Sequence, residues 1–162
     1  METEDERRKH RCCFTGHRPE KLKQSESEIR TALEKEIRTA IADGFVVFIS
    51  GMARGTDIWA GETVLRLRNE GVPIKLVCAI PYEGIERGWK REWQECYRCI
   101  IEAADAVRYI CPRYSPDCFQ KRNEWMVDRS ARVIAVYNGE PGGTRNTIEY
   151  AKMKRVDCIT TL

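Results

Sequence analysis

The sequence predicts an α/β fold in which a mainly parallel sheet lies between two layers of helices. Strand and helix patterns alternate strictly along the chain, as they do where crossover helices join parallel strands. The middle strand patterns are continuously apolar, which is typical of strands buried on both faces. Glycine-rich turns follow several of the predicted strands.

The first two strands are predicted at residues 11–15 and 45–49, which are short runs rich in apolar residues. Between them a helix is predicted from the capping-box pair Ser25 and Glu28, with Gly44 as the residue that follows its last turn. Its apolar face follows from a spacing of four residues, at Ile29, Leu33, Ile37 and Ile41.

A second helix is predicted over residues 56–69, with Gly71 beyond it, and a third strand over residues 74–80, closed by Pro81. The next apolar residues again recur at helical spacing, which predicts a helix with one buried face. That face consists of Trp89, Trp93, Cys96, Ile100 and Ala104.

The last third of the chain repeats the alternation. Strands are predicted at residues 106–110, 132–137 and 157–160. Ser115 followed by Pro116 predicts the start of a helix that runs to about residue 130, with Ser115 as its N-cap. A final helix is predicted to open at residues 142–144 and to end near residue 154.

Length and composition are those of one ordinary domain. At 162 residues the chain can bury a proper core, which we expect over residues 11–162, behind a flexible N-terminal tail at residues 1–10. The formal charge of +3 gives little support to duplex nucleic acid as a partner. Because no run could cross a bilayer and no signal-peptide core is evident, we expect no membrane partner and a cytoplasmic location.

The eight cysteines are predicted to be free thiols. Cys96 and Cys99 form a C-x-x-C within a predicted helix, but no second pair follows at the spacing of a zinc site. We therefore expect no metal, and no motif indicates a cofactor. Four other cysteines lie in or at the end of predicted strands, where a small hydrophobic residue serves: Cys12, Cys78, Cys111 and Cys158.

The segment FVVFISGMARGTD, residues 45–57, is the most informative part of the sequence. A buried strand, a glycine loop and a helix start follow one another, and free N–H groups at such a point form an anion site, most often for phosphate. The segment fits neither the G-x-G-x-x-G nor the G-x-x-x-x-G-K-[ST] pattern, so neither dinucleotide nor ATP binding follows from those motifs. The alternative is a strand-to-helix turn whose glycines only satisfy backbone geometry.

Other special residues also follow predicted strand ends. The carboxyl ends of parallel strands lie along one edge of a sheet, where ligands bind near the switch in strand order. Two glycine-rich helix starts at that edge would offer two sets of donors to a phosphorylated ligand. The residues after the first strand are Thr15, Gly16, His17 and Arg18, and those after the fifth include Asn138, Gly142, Gly143 and Thr144.

These segments, together with Arg122-Asn123-x-x-Met126, resemble the YpsA-like branch of the SLOG superfamily, which also includes DNA-processing protein A (Smf) and Lonely Guy proteins. The resemblance covers nearly all of the chain beyond its tail. It implies a Rossmann-like three-layer sandwich that binds nucleotides and is often oligomeric, so we expect a homodimer.

Two parts of the superfamily sharpen the expectation. Residues 50–57 are similar to the phosphate-binding loop of DNA-processing proteins, which bind single-stranded DNA. The later stretch is similar to the Lonely Guy phosphoribohydrolases, in which an arginine and a glutamate after P-G-G are catalytic. The resemblance carries those roles to Arg122 and Glu149, although Asn123 replaces a lysine, and Arg145 and Asn146 replace the motif's last glycine and threonine.

Several of the candidates have two interpretations. Arg54 could clamp a phosphate or be a solvated surface arginine, and Asp57 could bind a ribose hydroxyl or cap its helix. Tyr82 could stack on a base, and Glu149 could be a solvated helix residue. Arg122 could neutralise phosphate, or pair with Glu149 when no ligand is bound. The predicted ligand-binding residues are Thr15, Gly16, His17, Arg18, Ser50, Gly51, Arg54, Gly55, Thr56, Asp57, Tyr82, Asn138, Gly142, Gly143 and Thr144.

Three functions are therefore predicted. The first is a sensor or regulator that binds a nucleotide or nucleotide-derived molecule. The second is an N-glycosidase that resembles the phosphoribohydrolases and uses Arg122 and Glu149. The third is a single-stranded DNA-binding module, which the nearly balanced charge disfavours.

Overall fold

The computed structural model describes residues 1–162 and contains a six-stranded, all-parallel sheet. The strands are β1 (Arg11–Gly16), β2 (Val47–Ser50), β3 (Lys75–Ile80), β4 (Ala106–Tyr109), β5 (Arg132–Val136) and β6 (Asp157–Thr161). The helices are α1 (Glu4–Arg8), α2 (Glu26–Ala42), α3 (Thr56–Asn69), α4 (Arg91–Ala103), α5 (Cys118–Asp128) and α6 (Gly143–Met153). Short 3₁₀ turns cover Pro19–Lys21 and Ile85–Gly88. The predicted α/β fold is confirmed.

The strand order is β4-β3-β2-β1-β5-β6. Successive strands from β1 to β4 are added on one side of β1, and β5 and β6 are added on the other. The direction of winding therefore reverses between β1 and β5, and a crevice is expected at the carboxyl ends of these two strands.

Each face of the sheet has its own core, because neighbouring residues of a strand point to opposite faces. Cys12 and Phe14 belong to a cluster of 23 buried residues that also includes α2, α3 and α4. Cys13, between them in β1, belongs to a cluster of 8 that includes α5 and α6. The sheet is thus covered on both faces, more heavily on one.

The start of α2 shows how the sequence sets a boundary. The Glu28 N–H donates to Ser25 Oγ at 3.2 Å, and the Ser25 N–H donates to Glu28 Oε2 at 2.9 Å, so the predicted capping box is present. Ile29, Leu33 and Ile37 are buried as predicted. After Asp43 the chain leaves the helix at Gly44 with φ of +100°, a conformation that favours glycine.

Two predicted helix boundaries are wrong. The N-cap of α5 is Asp117 instead of Ser115, whose hydroxyl donates to Asp117 Oδ1 at 2.8 Å and so does not cap the helix. Trp89 precedes α4 at the end of a 3₁₀ turn, and Ala104 is the C-cap of that helix. Trp93 still packs inward, against Trp59, with 5.9 Å between the ring centroids.

The N-terminal residues form the short helix α1, capped by Thr3. Arg8 donates to the carbonyl of Ser130 at 3.3 Å, and Glu4 pairs with Arg11 at 2.6 Å. The flexibility of this tail stays a prediction. All eight cysteines are free thiols, and no helix is both long and apolar enough to span a membrane.

Candidate functional site

A cavity of about 300 Å³, here called the edge cavity, opens where the strand order reverses. Its walls come from the end of β1, the segment before α3, and the first turns of α5 and α6. Nine residues that the sequence predicts for the site line it together: Thr15, Gly16, His17, Arg18, Asp57, Arg122, Gly142, Gly143 and Thr144. The two glycine-rich helix starts therefore do face one concavity.

The first glycine loop, residues 51–55, uses its own side chains to satisfy its backbone. The Met52 N–H donates to Ser50 Oγ at 3.2 Å, and the Ala53 N–H donates to Asp57 Oδ2 at 3.2 Å. The Ser50 hydroxyl donates in turn to the Asp57 carbonyl at 2.8 Å. The expectation of free amides in both loops is therefore wrong for Met52 and Ala53, because Ser50 and Asp57 occupy the position that an anion would take.

Arg122 closes this loop from the other side. Its side chain is buried, Nη1 donates to the carbonyl of Gly51, and Nε donates to Asn123 Oδ1 at 2.8 Å. A Cβ on Gly51 would lie 2.9 Å from both Arg122 Nη1 and Asp57 Oδ2. Gly51 is therefore required by the close approach of these two side chains to the backbone.

The Asp57 carboxyl is buried beside Arg122. Burial raises its pKa to about 6, while the charge of Arg122 and the hydrogen bond from Ala53 act in the opposite direction. Oδ2 accepts from Ala53, but Oδ1 is buried without a partner. Asp57, which lines the edge cavity, thus has one buried carboxyl oxygen without a hydrogen-bond partner.

His17 supplies a second buried polar atom. Its ring stacks on Tyr137 with 5.4 Å between centroids, and Nε2 is buried without a partner. Burial and the nearby charge of Lys21 lower the pKa of His17, so the imidazole is neutral near pH 7. A neutral ring can either donate or accept at this nitrogen, depending on its tautomer.

The second glycine loop, residues 137–142, has one internal side-chain bond, from the Glu140 N–H to Asn138 Oδ1 at 2.9 Å, but the helix start that follows it is open. The last residue of the loop, Gly142, is the N-cap of α6, has φ of +146° and provides no side chain to cap the helix. The first intrahelical bond is donated by Asn146, so the N–H groups of residues 143–145 have no partner within the helix. A Cβ on Gly142 would meet nothing within 4 Å, and one on Gly143 only Asn123 Nδ2 at 4.0 Å.

Three of the predicted residues help to build the wall without lining the cavity. Ser50 holds the first glycine loop, as described above. Gly55 has φ of +89°, and a Cβ there would lie 2.8 Å from Pro19 Cδ. Thr56 is buried against Gly16, where a Cβ would lie 2.2 Å from its hydroxyl oxygen. These residues bring the ends of β1 and β2 close together.

The structure does not bring four other predicted residues into the edge cavity. Arg54 pairs with Glu20 at 3.1 Å, and Asn138 donates to the carbonyl of Lys21 at 3.0 Å. Tyr82 lines a neighbouring cavity. Glu149 is exposed on α6 and pairs with Arg145 at 3.4 Å, so the expected pairing of Arg122 with Glu149 is absent.

Five lining residues were missed by sequence reasoning, namely Phe14, Lys21, Ala53, Phe119 and Asn123. Lys21 follows Arg18 by one 3₁₀ turn, a pattern that could have indicated a second cation at the end of β1. Phe119 and Asn123 lie four residues apart in α5, so both face the cavity with Arg122 between them in sequence.

Comparison with known proteins finds a matching family model and sequence relatives over most of the chain. The family model described as YspA SLOG family matches residues 12–158. UPF0398 proteins of Bacillus thuringiensis (strain Al Hakam) and Bacillus cereus (strain AH187) are each 35% identical over 130 residues, covering 78% of this chain and 70% of theirs.

Among the solved structures that resemble it is DNA processing protein A from two bacteria. The Streptococcus pneumoniae protein matches with a TM-score of 0.66 and 18% identity over 94% of this chain. The Helicobacter pylori protein matches with a TM-score of 0.63 and 17% identity over 93% of this chain. The present chain spans only 50% and 64% of those two chains, and the likeness is one of fold.

Proposed function

This chain belongs to the YspA SLOG family, and we propose that it binds a nucleotide or nucleotide derivative in the edge cavity, as a sensor or regulator. The main support is that an uncapped helix start, two unpaired cations and two unpartnered buried atoms converge on one cavity of about 300 Å³. Small-molecule sites begin at about this volume. Such a cavity suits a single nucleotide unit.

The phosphate would bind at the start of α6. Three backbone N–H groups and the positive end of the helix dipole face that point, where an anion typically gains about 0.3–1 kcal/mol from the dipole alone. Arg18 and Lys21 line the same cavity, and neither forms an ion pair within the chain. The absence of side chains at Gly142 and Gly143 leaves room for the phosphate oxygens to reach the backbone.

The nucleoside would bind toward the first glycine loop. A buried polar atom without a partner costs about 1–3 kcal/mol, so ligand groups that satisfy it recover that free energy. Asp57 Oδ1 would accept from a ribose hydroxyl, and His17 Nε2 would bond a polar atom of the ligand. Binding would therefore complete hydrogen bonds that the free protein lacks.

The position of Glu149 supports binding over N-glycoside cleavage. The side chain is exposed, pairs with Arg145 and lies outside the edge cavity, whereas Arg122 is buried within its wall. A glutamate that acts as general acid or base must reach the bond that it cleaves. Arg122, for its part, is already engaged by Gly51 and Asn123.

Calorimetric titration of the four common nucleoside monophosphates into the purified chain tests the proposal. We expect at least one to bind, and Arg18→Ala to weaken that binding about tenfold, because a charge-assisted hydrogen bond contributes about 1.5–3 kcal/mol. Arg98→Ala is the matched control, since it removes an exposed arginine of α4 outside the cavity. Its affinity should equal that of the wild type.

Chromatography of the same mixtures separates the other functions. Release of free base would show an N-glycosidase and would overturn the sensor. The Helicobacter pylori relative's structure is described as showing a single-stranded DNA binding mode, so oligonucleotides belong in the same series. Oligonucleotide binding that falls steeply with salt, with no mononucleotide bound, would favour a nucleic-acid module instead.

A further inference from the structure

A second cavity, here called the side cavity, lies beside the edge cavity and has different walls. Its volume is about 490 Å³, and its residues come from the first glycine loop, the segment after β3 and the start of α5. Large apolar and aromatic side chains form much of its surface: Tyr82, Ile85, Trp89 and Phe119. The edge cavity is lined mainly by glycines and by polar or charged residues.

The two cavities adjoin each other. Arg18, Ala53, Phe119 and Arg122 line both of them, so a ligand seated in one can extend into the other along a shared wall. Of these four residues, Arg18 is exposed and forms no ion pair. Its guanidinium is therefore available to negative charge that passes from one cavity to the other.

The aromatic residues of the side cavity leave ring surface uncovered. The Tyr82 ring meets Phe119 nearly edge to face, with 6.4 Å between centroids and an interplanar angle of 88°. Phe119 is 41% exposed although it is apolar. Rings that are accessible in a cationic groove are typical of base-stacking sites, where each stacked base contributes about 1–3 kcal/mol, a factor of about 5 to 150 in affinity.

Arg87 adds a cation to this wall. It forms no ion pair, whereas Arg54, the other arginine found only in this cavity, is engaged by Glu20. Gly84 has φ of +91°, and a Cβ there would lie 2.9 Å from Arg87 Nε. The bare backbone at Gly84 thus lets the Arg87 side chain lie flat beside the cavity, in reach of a phosphate or a base face.

We infer that the ligand is a dinucleotide, in which two nucleosides are joined through their phosphates; the inference rests on the proposed function. One nucleotide occupies the edge cavity, with its phosphate at the start of α6. The linking phosphates pass Arg18, and the second base stacks in the side cavity on the Tyr82 ring, with Phe119 beside its edge. A mononucleotide fills only the first of these positions.

Matched pairs of mononucleotides and dinucleotides test this directly. AMP and GMP are titrated beside diadenosine diphosphate and diguanosine diphosphate, in which two nucleosides share a 5′–5′ pyrophosphate. We expect the dinucleotide of at least one pair to bind about fivefold tighter or better, the gain from stacking one base. Tyr82→Ala should abolish that gain and leave mononucleotide affinity unchanged, because Tyr82 lines the side cavity alone.

Two further variants complete the design. Tyr114→Ala is the control, since Tyr114 is an exposed aromatic that contacts Tyr82 but lines neither cavity, and it should retain the full gain. Arg87 is exposed, so Arg87→Ala tests the same cavity if Tyr82→Ala fails to fold. It should lower dinucleotide affinity without changing mononucleotide affinity.

The outcomes separate the inference from the proposed function. Equal affinities within both pairs, with mononucleotides bound, would overturn the dinucleotide and leave nucleotide binding intact. Affinity that keeps rising for oligonucleotides of four and eight residues would overturn it in favour of a strand-binding groove. If neither mononucleotides nor dinucleotides bind, both the dinucleotide inference and the proposed function are wrong.

Discussion

The two glycine loops at the carboxyl edge of the sheet are similar in sequence position and opposite in physical character. Residues 51–55 are closed: Ser50 and Asp57 accept from Met52 and Ala53, and Arg122 donates to the Gly51 carbonyl. Residues 137–142 have one such bond, from the Glu140 N–H to Asn138 Oδ1, and a Cβ on Gly139 or Gly142 would meet nothing within 4 Å. The first loop forms part of the wall of the edge cavity, and the second leads to backbone N–H groups that can donate to a ligand there.

The difference comes from the residues that flank the glycines. The first loop carries a serine before it and an aspartate after it, whose oxygens reach back to the backbone amides. Both loops end in a glycine N-cap without a side-chain cap, Gly55 and Gly142, so the difference lies in the loop itself: two side chains pack on the backbone of Gly51, and none packs on that of Gly142. A glycine at the end of a strand therefore predicts that some group packs close to the backbone. The neighbouring residues decide whether that group belongs to the protein or to a ligand.

The largest expected effect is that of one substitution made in both loops. Gly51→Val places a side chain 2.9 Å from Arg122 and Asp57 at its first carbon, so we expect unfolding free energy to fall by about 3 kcal/mol. Gly143→Val meets only Asn123 Nδ2 at 4.0 Å, and should change stability by less than about 1 kcal/mol. Urea denaturation measures both values.

For nucleotide affinity we expect the order of the two variants to reverse. Valine at position 143 projects into the edge cavity at the start of α6, and we expect nucleotide affinity to fall about tenfold or more, about 1.4 kcal/mol. Equal stability losses in the two variants would contradict the contrast between a closed and an open loop. Unchanged nucleotide affinity in Gly143→Val would show that the phosphate does not bind at the start of α6.

The closed loop also predicts a dependence of stability on pH. The pKa of Asp57 is about 6 in the folded chain and about 3.9 when unfolded, so between these values only the unfolded chain releases the proton. Stability from this residue therefore falls as pH rises from about 4 to 6, by on the order of 2 kcal/mol. The Asp57→Asn variant cannot ionise and so does not lose this free energy. Its unfolding free energy should therefore rise by that amount relative to wild type as the pH increases from about 4 to 7.

The measurement is the difference in unfolding free energy between the variant and wild type at several pH values. The difference cancels the other carboxyls of the chain, such as Glu20 and Asp105, whose pKa values are lowered and whose contributions have the opposite sign. A difference that does not change with pH would mean that the Asp57 carboxyl is ionised without penalty, and that its surroundings are wetter than the closed loop implies.

The fold was predictable because local patterns agree with the global arrangement. The α2 capping box, the bounds of α3 and the continuous apolar runs of the middle strands all follow from chemistry within a few residues. The resemblance to the YpsA-like branch of the SLOG superfamily is likewise confirmed. The predicted start of α5 was wrong because two candidate N-cap residues, Ser115 and Asp117, lie two residues apart. The hydrogen bond between their side chains decides which of them precedes the helix.

The candidate site was predictable only in part, since sequence shows which residues follow a strand but not where their side chains point. It placed Thr15, His17 and Gly143 at one edge, and they line one cavity. It could not show that Arg122, far along the chain, would donate to Gly51. Such contacts depend on how α5 packs over β1 and β3, which no local pattern records.

The smallest expected effect concerns Glu149, the residue that family resemblance would make catalytic. Its side chain is 63% exposed and pairs with Arg145 at 3.4 Å on the open face of α6. An exposed pair of this kind contributes about 0.3–0.5 kcal/mol, so Glu149→Gln should leave both stability and nucleotide affinity nearly unchanged. Calorimetry and urea denaturation check the two values, with Arg145→Ala as the partner control. A large loss of affinity in Glu149→Gln, with Arg145→Ala unaffected, would require α6 to turn this side chain into the edge cavity when ligand is bound.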